Sequence, residues 1–242
     1  MERCRIVLVR TQHPGNIGAI ARVMRNFGAS ELVLASPQAD HLCSEALARA
    51  TIHGEPVLRA ARVVETLAEA FSGCVLAAGT SARVEGLYRG QAVAQLPEAG
   101  AMVTEAAASG PVALAFGPER TGLENDEALQ CHLLIRIPAS EEYPVLNLAQ
   151  AVAVCLYEVR RSWLTHSPAP PRDIAPFEDQ ERMLELLHAA LGRSDYLRGP
   201  GGKALWHAIR HLLTRTQPSS TEVRLLMGLA RQIDWLSSRA GL

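Results

Sequence analysis

The stretch "VRTQHPGNIGAIARVMRNFGA", Val9 to Ala29, carries a short apolar strand through a glycine-bearing turn into a helix. The strand is "RIVLV", ending at Val9, and the helix is expected to take Asn16 as its N-cap and to stop at Gly28, residue types those positions favour. Strand, turn and helix in this order suit an α/β nucleotide fold. The dinucleotide fingerprint, however, requires G-x-G-x-x-G and an acidic residue about 20 positions on to hold the ribose. This turn reads Gly15-x-x-Gly18-x-x-Ala21, and the second strand runs out in "ELVLASPQ" with no acid at its end. A nicotinamide dehydrogenase is disfavoured on both counts.

Working outward, "RIVLV", "ELVLAS", "CVLAAGTS", "PVALAFGPE" and "LLIRIP" read as strands alternating with helices as far as Trp163. Short, nearly all-apolar strands in that alternation predict an α/β fold, a mostly parallel sheet with helices on both faces. "THSPAPPRDIAPF" then places Pro168, Pro170, Pro171 and Pro176 within thirteen residues, which cannot continue a helix and favours an extended linker. Beyond it "EDQERMLELLHAAL", "GGKALWHAIRHLLTRT" and "STEVRLLMGLARQIDWLSSR" are helical throughout, the last opening with a capping box, Ser219-x-x-Glu222. The expected organisation is a domain over 1–164, a proline-rich linker over 165–177 and a small all-α domain over 178–242.

The chain has 242 residues, 48% of them hydrophobic, and a net charge of −1, so it can bury a full core and carries no overall basic field for nucleic acid. Any nucleic-acid site is a local patch. One candidate lies between Arg193 and Arg224, where six basic residues (193, 198, 203, 210, 215 and 224) face two acids, Asp195 and Glu222. Such a patch fits phosphate, although a solvated helix face has the same composition. Cys4, Cys43, Cys74, Cys131 and Cys155 are odd in number and widely spread, without a C-x-x-C pair or a histidine cluster at metal spacing. They read as free thiols in a reducing compartment, and no metal site is expected. The opening "MERCRIVLVR" lacks the form of a signal peptide, and no apolar run of 18 residues spans a bilayer. A cytoplasmic protein without a membrane partner is expected.

In open parallel sheets, ligands bind beyond the carboxyl ends of the strands. Four loops there are small, polar and rich in glycine or proline: "TQHPGNIG", "GTSAR" (Gly79 to Arg83), "FGPERTGL" (Phe116 to Leu123) and "EEYPVLNLAQAVAV", which feeds a helix beginning near Asn147. On the opening helix Ile17, Ile20, Met24 and Phe27 form one apolar stripe. At about 100° per residue, Arg22 falls opposite its centre. An arginine so placed is ordinarily a solvated surface residue, and periodicity leaves that reading open beside a functional one. Glu119 and Arg120 could be a weak surface pair, or a carboxylate holding a working guanidinium.

Together "NIGAIARVMRNFGA", "FGPERTGL" and "EEYPVLNLAQAVAVCLYEVRR" resemble, in order and separation, the three motifs of the SPOUT class of S-adenosylmethionine-dependent RNA ribose methyltransferases. "GTSAR", the proline-rich segment and the helical tail narrow the resemblance to the bacterial tRNA (cytidine/uridine) 2′-O-methyltransferases that act on nucleotide 32 of the anticodon loop. The resemblance covers essentially the whole chain, most strongly the first 163 residues. It implies a trefoil knot (an α/β knot) formed around the second and third motifs and making the cofactor pocket, although chain-topology rules alone argue against knots. It also implies a homodimer whose site is completed across the interface, tRNA as partner rather than DNA, and S-adenosylmethionine as cofactor with S-adenosylhomocysteine as product. Residue by residue, it assigns Thr80, Ser81, Ala82, Gly117, Ile137, Pro144, Val145 and Leu146 to the cofactor. It matches Asn16 and Arg22 to the first motif, Glu119 to the second and Asn147 to the third, as catalytic-site residues. Arg22 matches the arginine usually assigned as catalytic. Pro144 and Val145 depart from the family, which carries serines before the Leu-Asn pair.

Methyl transfer to a ribose hydroxyl requires alignment of acceptor oxygen, methyl and sulfur, and removal of the hydroxyl proton. A guanidinium, with a pKa above about 12, is a poor base. Arg22 is therefore expected to bind the phosphate beside the target ribose and to stabilise charge developing on the oxygen. Gly15 and Gly18 are expected to let RNA approach the turn. A ribosomal RNA methyltransferase of the same class is the main alternative, and a non-enzymatic RNA-binding module a further one.

Overall fold

The computed structural model describes residues 1–81, 93–165 and 170–240. Seven strands, β1 (Cys4–Val9), β2 (Glu31–Ala35), β3 (Arg62–Val64), β4 (Leu76–Thr80), β5 (Val93–Gln95), β6 (Val112–Phe116) and β7 (Leu133–Arg136), form one parallel sheet in the order β3-β2-β1-β6-β4-β7-β5. The nine helices of the described residues are α1 (Pro14–Phe27), α2 (Ser44–Arg59), α3 (Leu67–Phe71), α4 (Leu96–Ser109), α5 (Asn125–Gln130), α6 (Leu148–Thr165), α7 (Phe177–Arg193), α8 (Gly202–Thr214) and α9 (Ser220–Ala240). None of them is long and apolar enough to cross a membrane.

Alternation along the strands divides the core. Ile6, Leu8, Leu32, Leu34 and Leu114 pack against α1, α2, α4 and α6, while Val7, Val9, Val33, Ala113 and Leu134 pack against α3, α5 and Phe177. Because both faces are covered, all six residues of β1 are buried, and Arg5, its one charged residue, is bonded to Glu31 and to the carbonyls of Ala70 and Ser72. The five strands read from the sequence are present. The two it missed, β3 and β5, are three-residue edge strands with mostly exposed side chains, too short to show a pattern.

Helix α1 buries Ile17, Ile20 and Met24 as the stripe requires, and it ends at Gly28 with φ +78. It starts three residues earlier than expected, with His13 rather than Asn16 at the N-cap, since Pro14 at the first helical position has no N–H to lose and a φ already suited to a helix. Gly18 also corrects the expectation placed on it. The residue is buried, and an ideal Cβ would lie 2.1 Å from the carbonyl oxygen of Ala46, so the missing side chain admits α2 rather than RNA. Beside Gly15 the nearest side chain is likewise that of Glu45 on α2.

The proline-bearing stretch separates α6 from α7. Helices α7 and α9 share a core in which Met183, Leu184 and Leu187 meet Val223, Met227 and Ala230, and the Ser219–Glu222 capping box is formed. This helical tail is docked on the sheet. Phe177 lies edge-on to Phe71, with ring centroids 5.2 Å apart, and 5.5 Å from the His132 ring; its N–H donates to the Cys74 carbonyl at 2.8 Å. Burial first, and then the Arg210 charge, push His132 down to about 3, so its imidazole is neutral at physiological pH. All five cysteines are unpaired, and four are buried.

Substituting Gly18 tests the α1–α2 contact. Gly18→Ala must displace backbone rather than a flexible side chain, and we expect a loss of about 1–3 kcal/mol, read as a lower urea midpoint with the far-ultraviolet spectrum of the fold retained.

Candidate functional site

The end of β4, at Thr80 and Ser81, meets the loops that follow β6 and β7. They enclose a cavity of about 610 Å3 whose wall includes Thr80, Ser81, Gly117, Glu119, Ile137, Pro144, Val145 and Leu146. These are seven of the eight residues assigned to the cofactor, together with Glu119; Ala82, the eighth, lies outside the described residues. Phe116, Leu123, Ile135, Leu148 and Ala151 complete an apolar lining. None of the five was named as a cofactor residue from the sequence, although Phe116, Leu123, Leu148 and Ala151 lie within the flagged stretches and Ile135 lies near the end of β7. The loop 117–122 turns back on itself so closely that a Cβ at Gly117 would lie 2.1 Å from the backbone of Gly122 and Leu123. Gly122 makes the turn with φ +68, and its N–H reaches the Pro118 carbonyl at 2.9 Å.

The Glu119 carboxylate is the junction of the site. Its Oε1 accepts from the Asn16 side-chain amide at 2.9 Å and from the His13 N–H at 3.3 Å, and its Oε2 accepts from the Gln12 N–H at 3.2 Å. Partial burial raises its affinity for a proton, but the Asn16 amide and the backbone donors outweigh that and hold the carboxyl below its ordinary range. An anion is thereby set at the start of α1, which has no acidic residue in its own first turn. Neither sequence reading of Glu119 with Arg120 holds, because the carboxylate is taken up by amide donors from another part of the chain.

Asn147 extends the junction. Its Nδ2 donates to Asn16 Oδ1 at 3.2 Å, while its Oδ1 accepts from the N–H groups of Ala149 at 2.9 Å and Gln150 at 3.4 Å. Gln150 Oε1 in turn accepts from the Asn147 N–H at 3.3 Å, so Asn147 and Gln150 form a capping box at the start of α6. Three of the four residues matched to the catalytic site, Asn16, Glu119 and Asn147, thus form one hydrogen-bonded chain. The fourth stands apart: Arg22 is exposed on α1, opposite the buried stripe, and is not among the residues walling the cavity.

A second clamp was invisible in the sequence. Arg10, at the end of β1 with φ +47, forms ion pairs with Glu124 at 2.9 Å and with Glu127, which reach it from the capping box of α5. More than a hundred residues separate the partners, so no local pattern could disclose the pair. Of the six basic residues counted in the tail, Arg193, Arg198 and Arg210 pair with Asp234, Asp195 and Glu181. Lys203, Arg215 and Arg224 make no ion pair among the described residues, so the usable positive surface is smaller than the sequence count.

Replacing the junction carboxylate probes its role. In Glu119→Gln an amide N–H must face the donors it displaces, at a cost of about 1 kcal/mol or more, and ligand affinity of the cavity should fall with little change in the overall fold. In the wild type the lowered pKa gives the opposite protection: the stabilisation from Glu119 is complete above its unfolded-state pKa and is lost only as pH falls through the lower folded value. A melting-temperature series from pH 7 to pH 3 should therefore be steeper for the wild type than for the variant at its acid end.

Comparison with known proteins agrees with this arrangement. The model of the SpoU rRNA Methylase family matches residues 3–157. The tRNA (cytidine/uridine-2′-O-)-methyltransferase TrmJ of Cronobacter sakazakii is 38% identical over 241 residues, covering 97% of each chain. Among solved structures, TrmJ from Z. mobilis ZM4 superposes with a TM-score of 0.80 at 33% identity, covering 95% of this chain and 98% of that one. An AdoMet-bound rRNA methyltransferase from Sinorhizobium meliloti superposes with a TM-score of 0.52 at 25% identity, covering 68% of this chain and 57% of the other. With its parallel sheet, its three joined loops and relatives matched from end to end, the chain belongs to the SpoU methylase family.

Proposed function

We propose that this protein is a homodimeric methyltransferase that moves the methyl group of S-adenosylmethionine to the ribose 2′-hydroxyl of a pyrimidine at nucleotide 32 of the tRNA anticodon loop, leaving S-adenosylhomocysteine. The observation that carries this reading is the Asn147–Asn16–Glu119 chain beside the cavity, which joins all three motif segments. The cavity fits the cofactor. Its volume of about 610 Å3 lies within the usual range of roughly 300–1,000 Å3 for small-molecule sites. Its walls combine apolar side chains for a purine with loop backbone for polar groups, and the missing side chain of Gly117 lets the 117–122 loop fold tightly along one edge of it.

S-adenosylmethionine, when bound, supplies an electrophilic methyl on a sulfonium. The chain's own contribution is placement. Ile137 and Leu146 offer apolar surface, and Pro144 and Val145, where the family carries serines, offer backbone without hydroxyls. Asn16, Glu119 and Asn147 hold the loops in register by bonding to one another. Arg22 remains exposed on α1 and is suited to bind the phosphate beside the acceptor ribose and to stabilise developing negative charge on the oxygen. A homodimer that completes the site across its interface accounts for an arginine outside the cavity wall of its own chain. Exposed Tyr157 and Leu164 on α6, 54% and 69% accessible, support such an interface beside α1. The tail, docked through Phe177 and presenting Lys203, Arg215 and Arg224, is read as the tRNA-binding domain, with the trefoil knot at the second and third motif segments and the cytoplasm as the site of action.

The family model's own description favours ribosomal RNA as a second reading. Transcripts separate the two. Methyl incorporation is expected into tRNA with a pyrimidine at nucleotide 32, and it should vanish when that nucleotide is 2′-deoxy; incorporation only into ribosomal RNA would overturn the tRNA reading. Arg22→Ala is expected to lower kcat by about 10²-fold while S-adenosylhomocysteine binds unchanged. Arg22→Lys should retain part of the rate with the same pH profile. A wild-type rate in the alanine variant would remove Arg22 from the reaction.

A further inference from the structure

The cavity has one wall that cannot hold itself in place. Helix α5, Asn125–Gln130, has six residues, far fewer than an isolated helix needs for stability in water. Yet Glu124, Asn125 and Ala128, at its start and along its inner side, face the cavity. Its position depends on what grips its two ends. At the first end Arg10 holds the capping box through Glu124 and Glu127. At the second the grip comes from the tail: Arg210 of α8 donates through Nε to the Leu129 carbonyl at 3.0 Å, the residue directly after cavity-lining Ala128.

The geometry of Arg210 is that of a fixed strut rather than a surface charge. Its Nη1 and Nη2 fork onto Glu181 of α7 at 3.0 and 2.6 Å, and both side chains are largely shielded, 14% and 23% accessible. A bidentate fork fixes the guanidinium plane, which leaves Nε–H aimed in one direction. That direction is one of the carbonyls a helix leaves without an internal partner at its C-terminal end, where a cation is also favoured by the helix dipole. We propose that Arg210 is a positioning residue for the cofactor cavity: reaching out of the tail, it fixes the α5 wall, so that cofactor affinity depends on a docked tail even when no RNA is present. The inference rests on the proposed methyltransferase function.

Calorimetric titration of the full-length protein with S-adenosylhomocysteine, without RNA, tests it. Arg210→Ala and Arg210→Lys are compared with wild type, and Arg198→Ala, which breaks only the exposed pair with Asp195, is the control. Lysine keeps a cation for Glu181 but gathers its donors on one nitrogen and has no Nε–H to reach Leu129, so it separates the grip on α5 from the attachment of the tail. Both Arg210 variants are expected to raise the Kd by about five-fold or more, a usual size for coupling between sites. Arg210→Lys should melt near the wild-type temperature, kcat at saturating S-adenosylmethionine should stay within about two-fold, and the control should bind as wild type. An unchanged Kd in Arg210→Lys, or an equal rise in Arg198→Ala, overturns the inference and leaves the methyltransferase reading standing. Failure of the wild type to bind S-adenosylhomocysteine overturns both.

Discussion

A carboxylate without a cation holds the site together. Glu119 accepts from two backbone N–H groups and one side-chain amide, all from residues 12–16, more than a hundred positions earlier in the chain. These donors would otherwise be among the unpaired N–H groups at or just before a helix start, and the carboxylate is the group they favour. The loop after β6 is thereby pinned to the start of α1, and Asn16 passes the connection to Asn147 and the start of α6. With α1 fixed at its first turn and along its buried stripe, the rotation of the helix leaves no freedom in where residue 22 faces. The outward direction of Arg22 is a consequence of bonds made six residues earlier.

The parts of this arrangement that depend on local periodicity were legible in the sequence. The five apolar strands, the Ile17–Ile20–Met24 stripe, the Gly28 stop and the Ser219–Glu222 box all express rules that act within a few residues. What depended on distant contacts was not. Gly18 is the clearest case, since a glycine that admits RNA and a glycine that admits a neighbouring helix look alike until α2 is seen 2.1 Å from the missing Cβ. Glu119 could be assigned neither to Arg120 nor to bulk water by spacing, because its donors lie in another motif. The tail's positive count failed for the same reason: Arg193 and Arg210 are matched by Asp234 and Glu181, acids far from them in sequence and outside the counted stretch.

Pro144 and Val145 illustrate how a site changes its chemistry while keeping its shape. Both remain in the cavity wall, between Ile137 and Leu148, where they contribute contour and main-chain polarity but no hydroxyl. Recognition through backbone tolerates such exchanges, because the positions of the peptide groups are set by the capped start of α6 and not by the side chains they carry.

Phe177 has a consequence for how the chain can be divided. It is the first residue of α7, yet it belongs to the core on the second face of the sheet, edge-on to Phe71 and beside the His132 ring. The covalent seam between the halves, marked by prolines, and the packing seam between them therefore do not coincide. A chimera joined at the prolines would carry this ring away with the tail and open a slot in the sheet it left behind, whereas a junction placed after the first turn of α7 would keep the sheet half closed.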